Sequence, residues 1–282
     1  MEKRILTIQD ISCVGQCSLT VALPIISACG IETAILPTAV LSTHTAGFKG
    51  FTVLPMTEEF PKIAEHWTKE NITFDCVYTG YILENQLRIV DDIIKKFNKG
   101  LKIIDPVMAD NGEFYFGFGE EFAKKMAALC READVILPNL TEAAFLLGEK
   151  PILSCYDQAH ITGLLQRLYQ KLNVKSIVLT GVSFEKDKLG VAVFDGESVK
   201  YYFSEKIERN FHGTGDIYSS AFTGALLSGL SVYDSAKIAV DFTVEAMKNT
   251  LPCAEKHGYG VLFEEVLPKL MQEIKTVKGA KR

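Results

Sequence analysis

Short apolar runs rich in β-branched residues recur along the chain at Arg4–Gln9, Thr33–Leu36, Phe74–Tyr78, Leu101–Ile104, Val135–Leu137 and Ser176–Thr180, each of strand length and too short for a helix. Between them, Glu58–Glu70, Glu84–Asn98, Glu120–Arg131, Glu142–Leu147 and Tyr156–Leu172 carry apolar residues at helical spacing, and Thr214–Ser228 and Val232–Lys248 do so beyond the last strand. This alternation predicts an α/β fold with a mainly parallel central sheet flanked by helices. Two further runs, Gly190–Phe194 and Val199–Phe203, are joined through Asp195-Gly196, a tight-turn signal, and read as an antiparallel hairpin near one edge. No linker rich in Pro, Gly or Ser and no internal repeat divides the chain, so residues 1–274 read as one domain and the basic segment 275–282 as a solvated tail.

Apart from Glu32, the stretch from Ile11 to Phe48 carries no formal charge. It is long enough to span a bilayer, but Ser12, Gly15, Gln16, Ser18, Thr20, Pro24, Ser27 and Gly30 make it too polar for that. Two readings remain: a buried strand and helix at the centre of the domain, or a wall of neutral polar side chains around a small, ring-like ligand.

Composition narrows the function classes. The 282 residues are 48% hydrophobic and 23% charged, inside the globular range. Thirty basic against 35 acidic residues give a net charge of −5, which disfavours nucleic acid or an anionic membrane as the main partner. Any phosphate must therefore be bound locally. Seven cysteines, odd in number and without a C-x-x-C pair, together with an N-terminus lacking a secretory pattern, predict a cytoplasmic protein.

Several motifs are absent. There is no Walker A string, no complete G-x-G-x-x-G, no G-x-S-x-G elbow and no H-E-x-x-H helix, and the five histidines never fall at metal-ligand spacing. What is present is Gly213-Thr214-Gly215-Asp216, followed by seventeen uncharged residues from Ile217 to Tyr233 that read as a buried helix. Two glycines admit close approach, and the N–H groups and dipole of the helix start favour an anion such as a phosphoryl group. A carboxylate there repels phosphate unless it accepts a proton from an attacking hydroxyl; alternatively Asp216 is a plain N-cap with two turn glycines. Ile103-Ile104-Asp105-Pro106-Val107-Met108 and Val135-Ile136-Leu137-Pro138-Asn139-Leu140-Thr141-Glu142 each place acids at the carboxyl end of a parallel strand, where open α/β sheets bind ligands. Such oxygen donors suit Mg²⁺ on nucleotide phosphates, held mostly through water; a turn aspartate and a capping acid are the plainer alternatives.

D-P-V-M, P-N-x-x-E and G-T-G-D in this order, with an opening I-Q-D-I-S strand and the strings Ser42-Thr43-His44-Thr45 and Thr79-Gly80-Tyr81, resemble the pyridoxal kinase branch of the ribokinase-like superfamily over roughly residues 4–250. The resemblance implies ATP- and Mg²⁺-dependent phosphorylation of a hydroxymethyl group on pyridoxal, pyridoxamine or pyridoxine by a homodimer. It makes Asp216 the base, with Gly213, Thr214 and Gly215 forming the hole for the transferred phosphoryl group. Asp105 and Glu142 would organise Mg²⁺ and the ATP phosphates, and Asn139 and Thr180 would lie along the nucleotide. Asp10, Ser12, Thr45 and Tyr81 would hold the pyridine, Tyr81 by stacking. Many pyridoxal kinases have serine where Asp10 stands and glycine where Ala109 stands. Hydroxymethylpyrimidine kinases typically have G-T-G-C and an early A-G-x-D-x-S-G-G string, both missing here. A hydroxymethylpyrimidine or sugar kinase, and a non-catalytic vitamer carrier, are the rival readings.

Overall fold

The structure, a computed structural model, describes residues 3–45 and 47–280. In chain order its elements are β1 (Arg4–Ser12), α1 (Leu19–Ala28), β2 (Glu32–Leu41), β3 (Val53–Pro55), α2 (Phe60–Lys69), β4 (Phe74–Thr79), α3 (Leu87–Phe97), β5 (Asn98–Ile104), β6 (Ala109–Asp110), β7 (Glu113–Phe114), α4 (Glu120–Cys130), β8 (Val135–Ile136), α5 (Leu140–Leu147), α6 (Gln158–Leu172), β9 (Ser176–Val182), β10 (Lys188–Phe194), β11 (Val199–Glu205), α7 (Thr214–Leu227), α8 (Val232–Thr250) and α9 (Leu267–Ala280). Nine strands form one sheet in the order β11-β10-β9-β8-β5-β4-β1-β2-β3. The six from β9 to β2 are parallel, β3 and β10 run against their inner neighbours, and β10–β11 is the antiparallel edge hairpin that Asp195-Gly196 predicted. Its turn is closed by the Asp195 carboxylate, which accepts from the Glu197 and Ser198 N–H groups.

Both faces of the sheet are covered, and strand periodicity assigns the side chains. On β9, Ile177 and Leu179 enter one core while Val178 enters the other; on β10, Ala192 and Phe194 face opposite to Val191 and Val193. One core lies under α2 to α6, with Leu6, Ile8, Val90, Met126 and Leu165 at its heart. The other lies under α1, α7, α8 and α9, with Ile5, Tyr78, Val178, Ile217, Phe222 and Phe242. Burying a large aliphatic or aromatic side chain contributes about 1.5–3 kcal/mol, so a two-sided sheet of this size rests chiefly on these contacts. The uncharged stretch after Ile11 supplies the end of β1 and α1, whose Val21, Ala22, Ile25 and Ile26 are fully buried, so it is core rather than a membrane segment. No helix among the described residues is long and apolar enough to cross a membrane.

Three features were not in the sequence reading. β3 extends the sheet beyond β2, β6–β7 make a separate hairpin of two-residue strands after Asp105, and the whole of α9, including the segment read as a tail from Lys275, is helical as far as Ala280. Leu270 and Ile274, four apart, bury that helix, while its lysines point outward.

The order of strands places the site. From β1 the chain steps outward to β2 and β3, then crosses back to β4 on the other flank and continues through β5, β8 and β9. The carboxyl ends of the parallel strands diverge around β1, and ligands bind in such a crevice.

Candidate active site

Helix α7 begins at that edge. Gly213 is its N-cap, at φ +79°, and a Cβ there would overlap the Gln16 carbonyl oxygen, so only glycine lets the two backbones meet. Above Gly215 the space is open, leaving the first-turn N–H groups facing the crevice. Asp216 is not the N-cap. It lies in the first turn, and its Oδ2 accepts from the Ser18 backbone N–H at 3.0 Å, across the crevice from its own helix. Burial pushes the Asp216 carboxyl up to about 6, the Ser18 N–H pulls against that, and the charge of Asp10 adds to it. Ser18 itself sits at φ +49°, an uncommon backbone for a non-glycine, held where α1 starts.

Asp10 and Ser12 come from the end of β1 and are buried. The Ser12 hydroxyl approaches Asp10 Oδ2 at 3.4 Å, and the Cys17 thiol lies 3.5 Å from the Ser12 hydroxyl. Burial raises the Asp10 pKa, against hydrogen bonds from Ser18, its own backbone and Ser12. The same seclusion, with Asp216 and Asp10 nearby, pushes the Cys17 thiol far up and leaves it unreactive. Tyr81, after β4, is half-buried; its carbonyl accepts from Thr38 and its ring lies 5.4 Å from Phe118. Burial and then the Asp10 charge raise its hydroxyl, so Tyr81 and Asp10 share one part of the crevice.

Asp105 follows β5. Its N–H donates to the Thr79 carbonyl and its Oδ2 accepts from the Ser219 hydroxyl of α7 at 2.7 Å. Glu142 lies one strand further, with Oε1 accepting from the Met108 N–H at 3.1 Å and Oε2 from the Asn139 N–H at 2.9 Å. Asn139 returns the bond to the Glu142 N–H, a complete capping box, and its Nδ2 donates to the Ala109 carbonyl. The capping reading of Glu142 thus holds in the geometry, although each carboxylate oxygen keeps a second lone pair. Burial raises the Asp105 and Glu142 carboxyls well above the usual range, and Ser219 opposes the shift at Asp105 while backbone N–H groups oppose it at Glu142. Among the described residues no lysine or arginine forms an ion pair with Asp10, Asp105, Glu142 or Asp216. Nor do three or more His, Cys, Asp or Glu side chains converge as a metal cage among them. A donor set of two secluded carboxylates without a balancing base fits a hydrated divalent ion that also binds phosphate, the mode Mg²⁺ favours.

Thr180, past the middle of β9, bridges in parallel to Asn139, and its N–H and hydroxyl both turn to the Pro138 carbonyl. Thr45 stands apart, exposed on the loop that follows β2. That loop still meets the site, because the His44 ring lies 5.7 Å from His212, the residue before Gly213. The structure therefore brings Asp10 and Asp216 to Ser18, with Ser12 and Tyr81 beside Asp10, and Asp105, Glu142, Asn139 and Thr180 along the next strand ends. Sequence reasoning missed Tyr115. The residue as a whole is 42% exposed, yet its hydroxyl is raised by seclusion of that end and then by the charges of Glu142, Asp110, Asp216 and Asp105, so the hydroxyl end lies toward the acids. The exposed Tyr115-Phe116 pair after a Gly-containing hairpin was the available signal.

A family model described as phosphomethylpyrimidine kinase matches residues 22–260, most of the chain. The chain belongs to that family. Among curated relatives, a pyridoxal kinase of Dictyostelium discoideum is 28% identical over 251 residues, covering 79% of this chain and 78% of its own. A hydroxymethylpyrimidine/phosphomethylpyrimidine kinase of Bacillus subtilis is 26% identical over 226 residues, covering 78% and 80%. The chain spans only 40% of the length of a thiamine biosynthetic bifunctional enzyme of rice that it also matches. Among solved structures, a Bacteroides thetaiotaomicron protein assigned to the phosphomethylpyrimidine kinases and crystallised with pyridoxal superposes with a TM-score of 0.89, at 35% identity, over 96% of both chains. The kinase has the ribokinase-like fold, and the resemblance to pyridoxal kinases drawn from D-P-V-M, P-N-x-x-E and G-T-G-D holds. The relatives thus include both pyridoxal kinases and hydroxymethylpyrimidine/phosphomethylpyrimidine kinases.

Proposed function

We propose that this kinase transfers the γ-phosphoryl group of ATP to the hydroxymethyl group of pyridoxal, pyridoxamine or pyridoxine. The observation that carries the reading is Asp216, a carboxylate pushed up to about 6 and fixed by the Ser18 N–H beside open helix-start donors. A base of that strength can take a hydroxyl proton near neutral pH. Asp216 accepts the hydroxymethyl proton as the oxygen attacks the γ-phosphorus, and the bond from that phosphorus to the β–γ bridging oxygen breaks, with ADP as the leaving group. The N–H groups of Gly213, Thr214 and Gly215 hold the equatorial oxygens of the phosphoryl group in transit, and they are already oriented before substrate arrives. Asp105 and Glu142 would hold Mg²⁺, largely through water, and its charge would screen the phosphates from the carboxylates. Asn139 and Thr180 line the run of strand ends along which ATP would lie. Asp10 and Ser12 would face the ring substituents and Tyr81 would offer a ring face, while Thr45, standing apart and exposed, would reach the vitamer only through a movement of its loop.

Pyridoxal bound to the Bacteroides structure supports the B6 acceptor, as does aspartate in G-T-G-D where pyrimidine kinases typically carry cysteine. The pyrimidine reading draws on the Bacillus relative and the family description. Coupled ADP release with pyridoxal, pyridoxamine, pyridoxine, hydroxymethylpyrimidine and ribose, each with and without EDTA, separates the readings. The B6 reading predicts turnover on at least one vitamer that stops in excess EDTA. Turnover on hydroxymethylpyrimidine alone refutes the B6 acceptor, unchanged turnover in EDTA refutes the magnesium role, and vitamer binding without ADP release is the outcome expected of a carrier. Seven free cysteines support a cytoplasmic location, and the apolar edge strand β3 supports a homodimer.

A further inference from the structure

Gln16 lies outside every motif, yet its polar groups are committed on all sides. Its N–H donates to the Tyr259 carbonyl at 3.4 Å, and its Nε2 donates to Glu264 Oε1 at 2.6 Å. Since the amide nitrogen must face that carboxylate, Oε1 faces His257, whose Nε2 donates at 2.7 Å and is thereby fixed as the protonated nitrogen. A Cβ on Gly260 would overlap the Gln16 side chain, so the segment 257–264 wraps closely around it. On its other side, the Gln16 carbonyl occupies the space beside Gly213 that a side chain would need. Two residues later, the Ser18 N–H holds Asp216.

We propose that Gln16 is a positioning residue for phosphoryl transfer, clamping the 16–18 segment to the C-terminal segment 257–264 and so setting the placement of Gly213 and Asp216. This rests on the reading of Gly213–Gly215 as the phosphoryl hole and Asp216 as the base. Gln16 touches neither substrate in this account. It acts through the backbone on which the hole packs and from which the base takes its hydrogen bond. Without its three partners, Gln16 itself is untied, and the 16–18 segment is held only from Cys17 onward, by Thr20 at the Cys17 N–H and carbonyl, by the Val21 and Ala22 N–H groups at the Ser18 carbonyl, and by Asp216 and Ser12. A displacement of about 1 Å at a reacting centre can cost on the order of 10²-fold in rate.

The test compares the parent with Gln16→Ala, Glu264→Ala and the double variant, using whichever acceptor in the panel the parent phosphorylates. Gln16→Ala should lower kcat by roughly 10–10²-fold while KM for ATP stays close to the parent's. The double variant should be no slower than Gln16→Ala, because both remove one clamp. A kcat above half the parental value in Gln16→Ala overturns the inference, as do losses that simply multiply. Should Gln16→Ala fail to fold, Glu264→Ala and His257→Ala each remove one partner and should each slow turnover several-fold; parental rates in both overturn it. Hydrogen exchange of the 211–217 peptide gives a readout that needs no acceptor. Gln16→Ala should speed it by at least tenfold with the Ile5–Ile8 amides unchanged, and unchanged exchange at 211–217 contradicts the clamp. A parent silent on every acceptor refutes the catalytic reading instead, and the exchange result still decides the clamp.

Discussion

Asp216 has a carboxyl near 6 because it is secluded, opposed by one N–H bond and aided by the Asp10 charge. As the base it must be ionised, so turnover should be level above that value and fall about tenfold per pH unit below it. Removing the Asp10 charge makes ionisation of Asp216 easier, and the acid limb of the kcat profile in Asp10→Asn should move to lower pH. A limb that stays in place, or moves up, shows that the titrating group is not Asp216. Tyr81 makes a different prediction, since a ring face acts on the vitamer alone: Tyr81→Ala should raise KM for pyridoxal more than for ATP, by the equivalent of about 0.5–1.5 kcal/mol. Equal changes in both constants would mark Tyr81 as part of the Phe118 packing only. At this scale the sequence named the acids that carry charge but not what surrounds them. Ser18 and Ser219 bond to Asp216 and Asp105 from distant parts of the chain, and no local spacing connects these pairs.

Helix α7 joins the site to the fold. Its Gly213 needs a left-handed backbone and contact with Gln16, whereas Gly215 has open space and no positive φ. Gly213→Ala should therefore cost about 1–3 kcal/mol of stability along with turnover. Gly215→Ala should leave the melting temperature near the parent's while a methyl at the mouth of the hole slows transfer. Equal melting temperatures for the two variants, measured by calorimetry, would contradict the packing of Gly213 on Gln16. The elements around α7 were legible where periodicity was long or a turn was marked, as in α6, α8 and the β10–β11 hairpin. Strands β3 and β6–β7 were not, because two or three residues carry no period and only their partners make them strands. Helix α9 was missed entirely, because its lysines masked the Leu270–Ile274 spacing. At Asp216 the capping alternative was open in sequence; geometry closed it by giving the N-cap to Gly213 and the carboxylate to Ser18.

For the whole molecule, the sheet ends at β11 on one side and at β3 on the other, and β3 leaves Val53 and Leu54 45% and 63% exposed. An apolar edge strand with unpaired backbone groups is a surface that proteins commonly cover. Light scattering at micromolar concentration should give the mass of a dimer, with Leu54→Glu shifting it toward monomer; a monomer mass for the parent contradicts this. Phosphoryl transfer in this enzyme depends, in the mechanism proposed, on Asp216 acting as a base held by an intact fold. Asp216→Asn keeps size and hydrogen bonding to Ser18 within reach but cannot accept the proton. Steady-state turnover of the variant on pyridoxal and ATP, with its melting temperature measured in the same buffer, is the most direct test. A fall of about 10²–10⁴-fold in kcat with parental melting is the predicted result, and a variant that keeps more than about a tenth of parental turnover contradicts the mechanism.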